Sequence, residues 1–140
     1  MADMATELYV LDELPPAAAE YVDLRRAAGM GARTVAAAQA GLPNSLYAAC
    51  IRSNGTLVAM GRVVGDGGCN FEVVDIAVHP DHQRRGLGRR VMASLMTRVR
   101  SEAPPSAYVC LIADGGSPAL YAEFGFTPTA PASIGMAVQL

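Results

Sequence analysis

Two hydrophobic rhythms run along this chain, and the places where one gives way to the other divide it into elements. Alternation with period two marks a half-buried strand, whereas apolar positions at three- and four-residue steps mark an amphipathic helix. Tyr9-Val10-Leu11 suits a short first strand. Pro15-Pro16 then opens an Ala-rich helical stretch to about Ala28, proline being favoured at the first helical positions, and Gly29 and Gly31 end it. Thr34 stands where it caps a second helix over Val35 to Ala40, stopped by Gly41 and Pro43. From there the pattern changes to strands. Leu46 to Arg52 and Thr56 to Val64 flank Ser53-Asn54-Gly55, whose Asn-Gly pair accepts positive φ, so a β-hairpin is predicted. Asp66-Gly67-Gly68 makes a second reversal before Phe71 to Val78, which gives three successive antiparallel strands.

The third strand runs into His79-Pro80-Asp81-His82 and then Gln83-Arg84-Arg85-Gly86-Leu87-Gly88. Leu87, Val91, Met92, Leu95, Met96 and Val99 form one apolar stripe, which predicts a helix from about Gly86 to Arg100. The two glycines therefore lie at its N-terminus, where backbone N–H groups lack intrahelical partners and the helix dipole is positive. Such a turn suits a pyrophosphate. It is neither of two common phosphate loops. The G-x-G-x-x-G fingerprint needs a small residue where Val91 stands, and the P-loop needs a Gly-Lys-Ser/Thr that is missing. Beyond the helix, Ala107 to Ala113 reads as a buried strand, parallel to the third because a helix joins them, so the sheet is mixed. Asp114-Gly115-Gly116 follows, Ser117-Pro118 caps and starts a short helix, and Gly125 ends it. Ile134 to Leu140 reads as a C-terminal strand that pairs within the monomer or across the edge of a homodimer.

Composition narrows the class. The 140 residues, 51% apolar and 17% charged, suffice for one folded domain spanning residues 1–140 and do not suit a disordered tail. No apolar run approaches the roughly 18 residues of a membrane span, and the acidic start, Met1 to Glu7, lacks the positive flank of a signal peptide, so a cytoplasmic protein with no membrane partner is expected. A net charge of -2 argues against a dedicated nucleic-acid binder. Even so, Arg84, Arg85, Arg89, Arg90, Arg98 and Arg100 fall close together with no acid among them, either a solvated helix face or a local attraction for a small anion. Cys50, Cys69 and Cys110 lack metal-ligand spacing, and no His, Cys and carboxylate cluster suggests a metal.

The pattern Val78-x-Pro80-x-x-Gln83-x-x-Gly86-x-Gly88 resembles the acetyl-CoA loop of the GNAT superfamily of N-acetyltransferases, and Leu120-Tyr121-x-x-Phe124-Gly125-Phe126 resembles that family's second motif at the expected interval. The resemblance implies a mixed α/β (α+β) acyl-CoA N-acyltransferase fold, a central, mostly antiparallel sheet flanked by helices. It also implies acetyl-CoA as cosubstrate, no metal, and direct acetyl transfer to a primary amine of a small molecule. The loop residues Gln83, Arg84, Arg85, Gly86, Leu87, Gly88 and Arg89 then hold the pyrophosphate, and the backbone of Ile76, Ala77 and Val78 pairs with the pantetheine arm. Tyr121 becomes the proton donor to the departing thiolate, which suits a phenol protonated at neutral pH. Asp114 and Ser117 stand where the family commonly has Asn and Ala, beside the cofactor. For removal of the amine proton, Glu72 ranks first, with Asp75 or a water chain in reserve. Strand alternation lets at most one of the two carboxylates face the acceptor unless a bulge intervenes. His79 and His82 belong to the turn, away from the acyl carbon. Tyr21, Met30 and Tyr47 either line an acceptor pocket or fill the core. The alternatives are transfer to a protein lysine or N-terminus, a non-catalytic acetyl-CoA-binding module, and a nucleic-acid module using the arginine-rich helix.

Overall fold

The computed structural model describes residues 8–114 and 117–140, so the acidic start and the Gly115-Gly116 turn lie outside the described residues. In chain order the elements are β1 (Tyr9–Asp12), α1 (Ala18–Ala27), α2 (Val35–Gly41), β2 (Tyr47–Ser53), β3 (Thr56–Gly65), β4 (Asn70–Val78), α3 (Leu87–Glu102), β5 (Tyr108–Cys110) and α4 (Pro118–Ala122). Single 3-10 turns follow α2 at Leu42–Asn44 and β4 at Pro80–His82. The strands form one sheet in the order β1-β2-β3-β4-β5. Its first three pairs are antiparallel and its last, β4 with β5, is parallel. This is the mixed, mostly antiparallel sheet that the pattern of strands and turns predicts.

Each helix is set by local chemistry. Helix α1 has Ala17 at its N-cap, which offers no capping oxygen, so Glu20 reaches back to accept from the Ala17 amide at 2.8 Å. Arg52 on β2 grips the same carboxylate through two bonds of 2.7 and 2.8 Å and holds its pKa below the usual range. Helix α2 starts as expected, with Thr34 Oγ1 accepting from the Ala37 amide at 3.0 Å. In α3 the six residues of the predicted stripe are the six buried ones. They cover one face of the sheet and pack on Ala49, Ile51, Val58, Val63, Phe71 and Val73. On the opposite face, Tyr21, Val22, Leu24, Ala38 and Leu42 cover Cys50, Leu57, Met60 and Ala77.

Two predicted strands are shorter or absent. β5 covers only Tyr108–Cys110 of the expected Ala107 to Ala113: its last pair with β4 is Glu72 with Cys110, and residues 111–113 join no ladder although β4 runs on beside β3 to Val78. Residues 134–140 join no strand. Ile134, Met136, Val138 and Leu140 are instead exposed along an irregular tail. Ser117 does stand at the N-cap of α4, but its hydroxyl donates to the Asp114 carbonyl at 2.5 Å rather than capping the helix, a bond typical of serine in turns.

Gly61 on β3 marks the closest approach of α3 to the sheet. A Cβ there would lie 2.4 Å from Ile76 Cδ1, 2.7 Å from Val91 Cγ1 and 3.0 Å from Leu95 Cδ1. Val91 and Leu95 are fully buried and cannot all retreat. Gly61→Ala is expected to lower stability by about 1–3 kcal/mol, the usual range for overpacking, read from the midpoint of urea unfolding at unchanged slope.

Candidate active site

The site begins at a break in β4. Met60 pairs with Ala77 and Arg62 with Val74, so the single residue Gly61 on β3 faces both Asp75 and Ile76 on β4. That is a β-bulge, and Asp75 carries its unusual backbone at φ +61. The extra residue reverses the alternation. Phe71 and Val73 face α3 before the bulge, whereas after it Ala77 faces α1 and Ile76 and Val78 pack toward α3. Both carboxylates, Glu72 and Asp75, therefore line the same cleft, which strict alternation forbids.

A buried ionic cluster holds the bulge. The Asp75 carboxylate accepts from Arg25 Nη1 at 2.5 Å, Tyr21 Oη at 2.9 Å, Arg62 Nε at 2.8 Å and Arg62 Nη2 at 2.7 Å. Arg25, only 4% exposed, also donates to the Gly31 carbonyl through Nε at 3.0 Å and Nη2 at 2.7 Å, which ties the end of α1 to the strand. Tyr21 is thus fixed in the core beneath the arginines, and burial beside Asp75 pushes its phenol pKa up. With two guanidinium groups and a phenol on it, Asp75 is a structural anchor, whereas Glu72 has no ion pair among the described residues.

Past Glu72 and Cys110 the strands splay, and a cleft of about 230 Å³ opens between them. Glu72, Val74 and Ile76 form one wall, Leu111, Ile112 and Asp114 the other, and Arg25, Met30 and Arg33 the end toward α1. Tyr121 on α4 reaches into the same cleft. The two residues expected to move protons are brought together. Tyr121 is 8% exposed, and its burial raises the phenol pKa; a hydrogen bond with Ser117 works the other way, and the nearby Asp114 charge adds to the rise. Tyr47 lies instead under Arg98 of α3, 4.7 Å from its ring centre, outside the cleft.

At the end of β4 the chain makes its 3-10 turn, passes Arg84 at φ +64 and enters α3 through Gly86 at φ +77. Gly86 takes the left-handed conformation at low cost, and nothing lies within 4 Å of where its Cβ would be. The space over the first turn is open. The first intrahelical bond runs from the Arg90 amide to the Gly86 carbonyl, so the amides of Leu87, Gly88 and Arg89 precede the ladder and are open to an anion. The side chains tell another story. Leu87 is buried. Arg89 forms a bidentate pair with Glu123 at 2.8 and 3.0 Å, Arg85 bonds to the Tyr9 hydroxyl, and Gln83 Nε2 donates to the Val78 carbonyl at 3.3 Å. Farther along α3, Arg98 pairs with Glu13, and Arg100 donates to the Phe124 carbonyl. Much of the arginine cluster thus fastens α3 to its neighbours, and acids distant in sequence supply the partners. Arg84 has no ion pair among the described residues. His82 Nδ1 contacts the Tyr9 hydroxyl at 2.8 Å, and His79 Nδ1 accepts from the Asp81 amide, so both imidazoles serve the turn.

The thiols offer no nucleophile. Burial pushes Cys50 up to about 12 and raises Cys110 as well, and Cys69 lies exposed on the turn before β4, away from the cleft. The bulge is the feature that sequence reasoning missed. Its sole trace in the sequence is an acid, Asp75, within an otherwise apolar run opposite Gly61.

The profile of the Acetyltransferase (GNAT) family matches residues 6–126. A crystal structure of protein SA2161 from meticillin-resistant Staphylococcus aureus, titled a probable acetyltransferase, superposes with a TM-score of 0.92 at 39% identity, covering 95% of this chain and 100% of that one. Serotonin N-acetyltransferase 2, chloroplastic, of Oryza sativa subsp. japonica is 36% identical over 85 residues, 61% of this chain and 42% of the rice protein. The uncharacterized N-acetyltransferase ycf52 of Pyropia yezoensis is 34% identical over 74 residues, 53% of this chain and 41% of its own. The chain thus spans about two fifths of the length of these curated relatives.

Asp75 balances two buried guanidinium groups, so Asp75→Ala leaves both uncompensated. The expected loss is about 3–5 kcal/mol in denaturant unfolding, far above that of a surface acid such as Asp23 in α1.

Proposed function

We propose that this chain, which belongs to the GNAT acetyltransferase family, moves an acetyl group from acetyl-CoA directly to a primary amine of a small molecule. The observation that carries the proposal is the shared cleft: Glu72 and Tyr121 meet in one small cavity at the point where β4 and β5 part. The residues present fit the cosubstrate. The open first turn of α3 offers amides to a diphosphate, and the edge of β4 that β5 leaves after Glu72 offers backbone groups at Ile76, Ala77 and Val78 to an amide-bearing arm. Gln83 to Arg89 contribute mainly main chain, and Asp114 lines the cleft while Ser117 stands at the N-cap of α4. When bound, acetyl-CoA supplies an activated thioester carbonyl.

This chain's own residues then manage two protons. An alkylammonium with pKa about 10.4 has a deprotonation deficit of roughly 4–5 kcal/mol at pH 7. Glu72 removes that proton, directly or through water, and its position on the cleft wall also draws the cation in. Tyr121 holds its proton at Oη and gives it to the sulfur as negative charge develops there. Burial raises the phenol pKa and so favours the protonated form that a donor needs. The cleft volume of about 230 Å³, with Arg25, Met30 and Arg33 in its lining, favours a small acceptor. The rice relative, named for serotonin, is an enzyme of a small primary amine.

Thiol release from acetyl-CoA across a panel of amines tests this reading. Turnover with small primary amines is expected. Tyr121→Phe should lower kcat by about 100-fold or more with little change in KM for acetyl-CoA. Acetylation confined to peptides would reassign the acceptor to protein, and tight acetyl-CoA binding without turnover, indifferent to Tyr121→Phe, would make the chain a binding module.

The pH dependence has a definite sign. Because the phenol pKa is raised, Tyr121 loses its proton only above the ordinary value of about 10, so kcat should rise with pH and show no descending limb below that point. Glu72→Gln should depress kcat most at neutral pH and recover toward the parent rate in alkaline buffer, where the amine is already free.

A further inference from the structure

The small cleft between β4 and β5 is electrically polarised. Its walls carry the carboxylates of Glu72 and Asp114, whereas the end toward α1 carries the guanidinium groups of Arg25 and Arg33. The two arginines are not equivalent. Arg25 is buried and committed, to Asp75 through Nη1 and to the Gly31 carbonyl through Nε and Nη2. Arg33 is exposed, and its side chain meets no acid among the described residues; Nη1 donates locally, to the Ala32 carbonyl at 3.0 Å. The connection from α1 to α2 holds it there. The Met30 amide donates to the Arg25 carbonyl at 2.9 Å, Arg25 grips the Gly31 carbonyl, and Thr34 caps α2, so Arg33 stands between two anchored points. The Cβ position of Gly31 lies 3.7 Å from Arg25 Nη2 and 3.7 Å from Arg33 Nη1, so the two cationic heads flank one point. Their charge is not balanced from within. Arg25 and Arg62 share the single carboxylate of Asp75, completed by the neutral Tyr21 hydroxyl, so that buried cluster holds one more positive charge than negative, and Arg33 adds another.

We propose that the acceptor amine carries an acidic group, a carboxylate or a phosphate, at the end of the molecule away from its nitrogen, and that Arg33 is the residue that selects it. This rests on the acetyl-transfer reading of the cleft and narrows its substrate class. The ammonium lies against Glu72, where it gives up its proton, and the acidic group lies against Arg33, whose planar fork matches two oxygens at once. The neighbouring Arg25 adds attraction without leaving Asp75, because the charge it shares with Arg62 exceeds that of the one carboxylate. An acid group seated between the two heads also relieves their mutual repulsion. The same polarity acts against a diamine or polyamine, whose second ammonium would be driven toward Arg33.

Matched pairs of amines test the assignment: 3-aminopropanoate, 4-aminobutanoate and 5-aminopentanoate against their amides, and 2-aminoethyl phosphate against ethanolamine, with 1,4-diaminobutane as the doubly cationic member. Within an acid–amide pair the length and the amine basicity stay nearly constant while the charge changes. In at least one pair the acidic member is expected to have the higher kcat/KM by about tenfold or more, expressed in KM. Arg33→Gln should bring that ratio close to one, and Arg33→Lys should keep part of it, since the charge remains without the fork. A preference confined to the phosphate pair names phosphate as the acidic group, and one in the other pairs names carboxylate. Amides used as well as acids, a diamine used best, or a preference that survives Arg33→Gln overturns the inference and leaves acetyl transfer standing. Calorimetry gives a readout apart from turnover. Tighter binding of the acid than of its amide, lost in Arg33→Gln, by a chain that acetylates none of these amines upholds the anion site and overturns the transfer reading; absence of both binding and turnover overturns both.

Discussion

The geometry of the cleft depends on one carboxylate. Asp75 sits where β4 has one residue too many, in a backbone conformation that an L-residue adopts only at a cost of order 1 kcal/mol or more. Its charge is taken up by Arg25 and Arg62, and its last lone pairs by Tyr21. These partners come from α1 and β3, so the cluster joins the helical layer to the sheet at the point of the break. The break lies just past the last β4–β5 pair, Glu72 with Cys110, where the cleft opens. Buried ion pairs are weak evidence for stability as such. Here the cluster fixes a particular irregularity, and that irregularity places Glu72 and Asp75 on one face.

The second constraint is the division of labour at the start of α3. A run of arginines next to a phosphate-like turn invites the idea that their side chains make the anion site. In the folded chain most are occupied: Arg89 by Glu123, Arg98 by Glu13 and Glu102, Arg100 by the Phe124 carbonyl. Exposed pairs of this kind contribute little each. They do fix the angle of α3 against α4 and the β1–α1 connection, and so the direction in which the open amides point. Recognition by peptide N–H groups needs no particular side chain, which is why the glycines at 86 and 88 are more telling than the arginines around them.

Much of this was legible in the sequence, and what was not has a physical reason. The α3 stripe, the Asn54-Gly55 hairpin and the Thr34 cap are local: period, turn chemistry and capping decide them, and each appears where the sequence places it. The length of β5 and the state of residues 134–140 are set by partners, and a segment can be strand-like in pattern without having a neighbour to pair with. The two residues proposed to handle protons illustrate both cases. Tyr121 is marked by its motif, whereas the side of the strand that Glu72 shares with Asp75 depends on a bulge that arises from contacts fifty residues away in α1.

Tyr121 is the link between the two halves of the molecule. It lines the small cleft where the acceptor is expected and also the apolar groove along the free edge of β5. Its raised pKa comes first from burial, so whatever covers the groove acts on the phenol in the same direction. Helix α4 is five residues long and is anchored in the main core through buried Tyr121, with Leu120 packed against the same cluster. The apolar residues that pack around Tyr121 therefore build the core under α3 and also set the environment of the phenol.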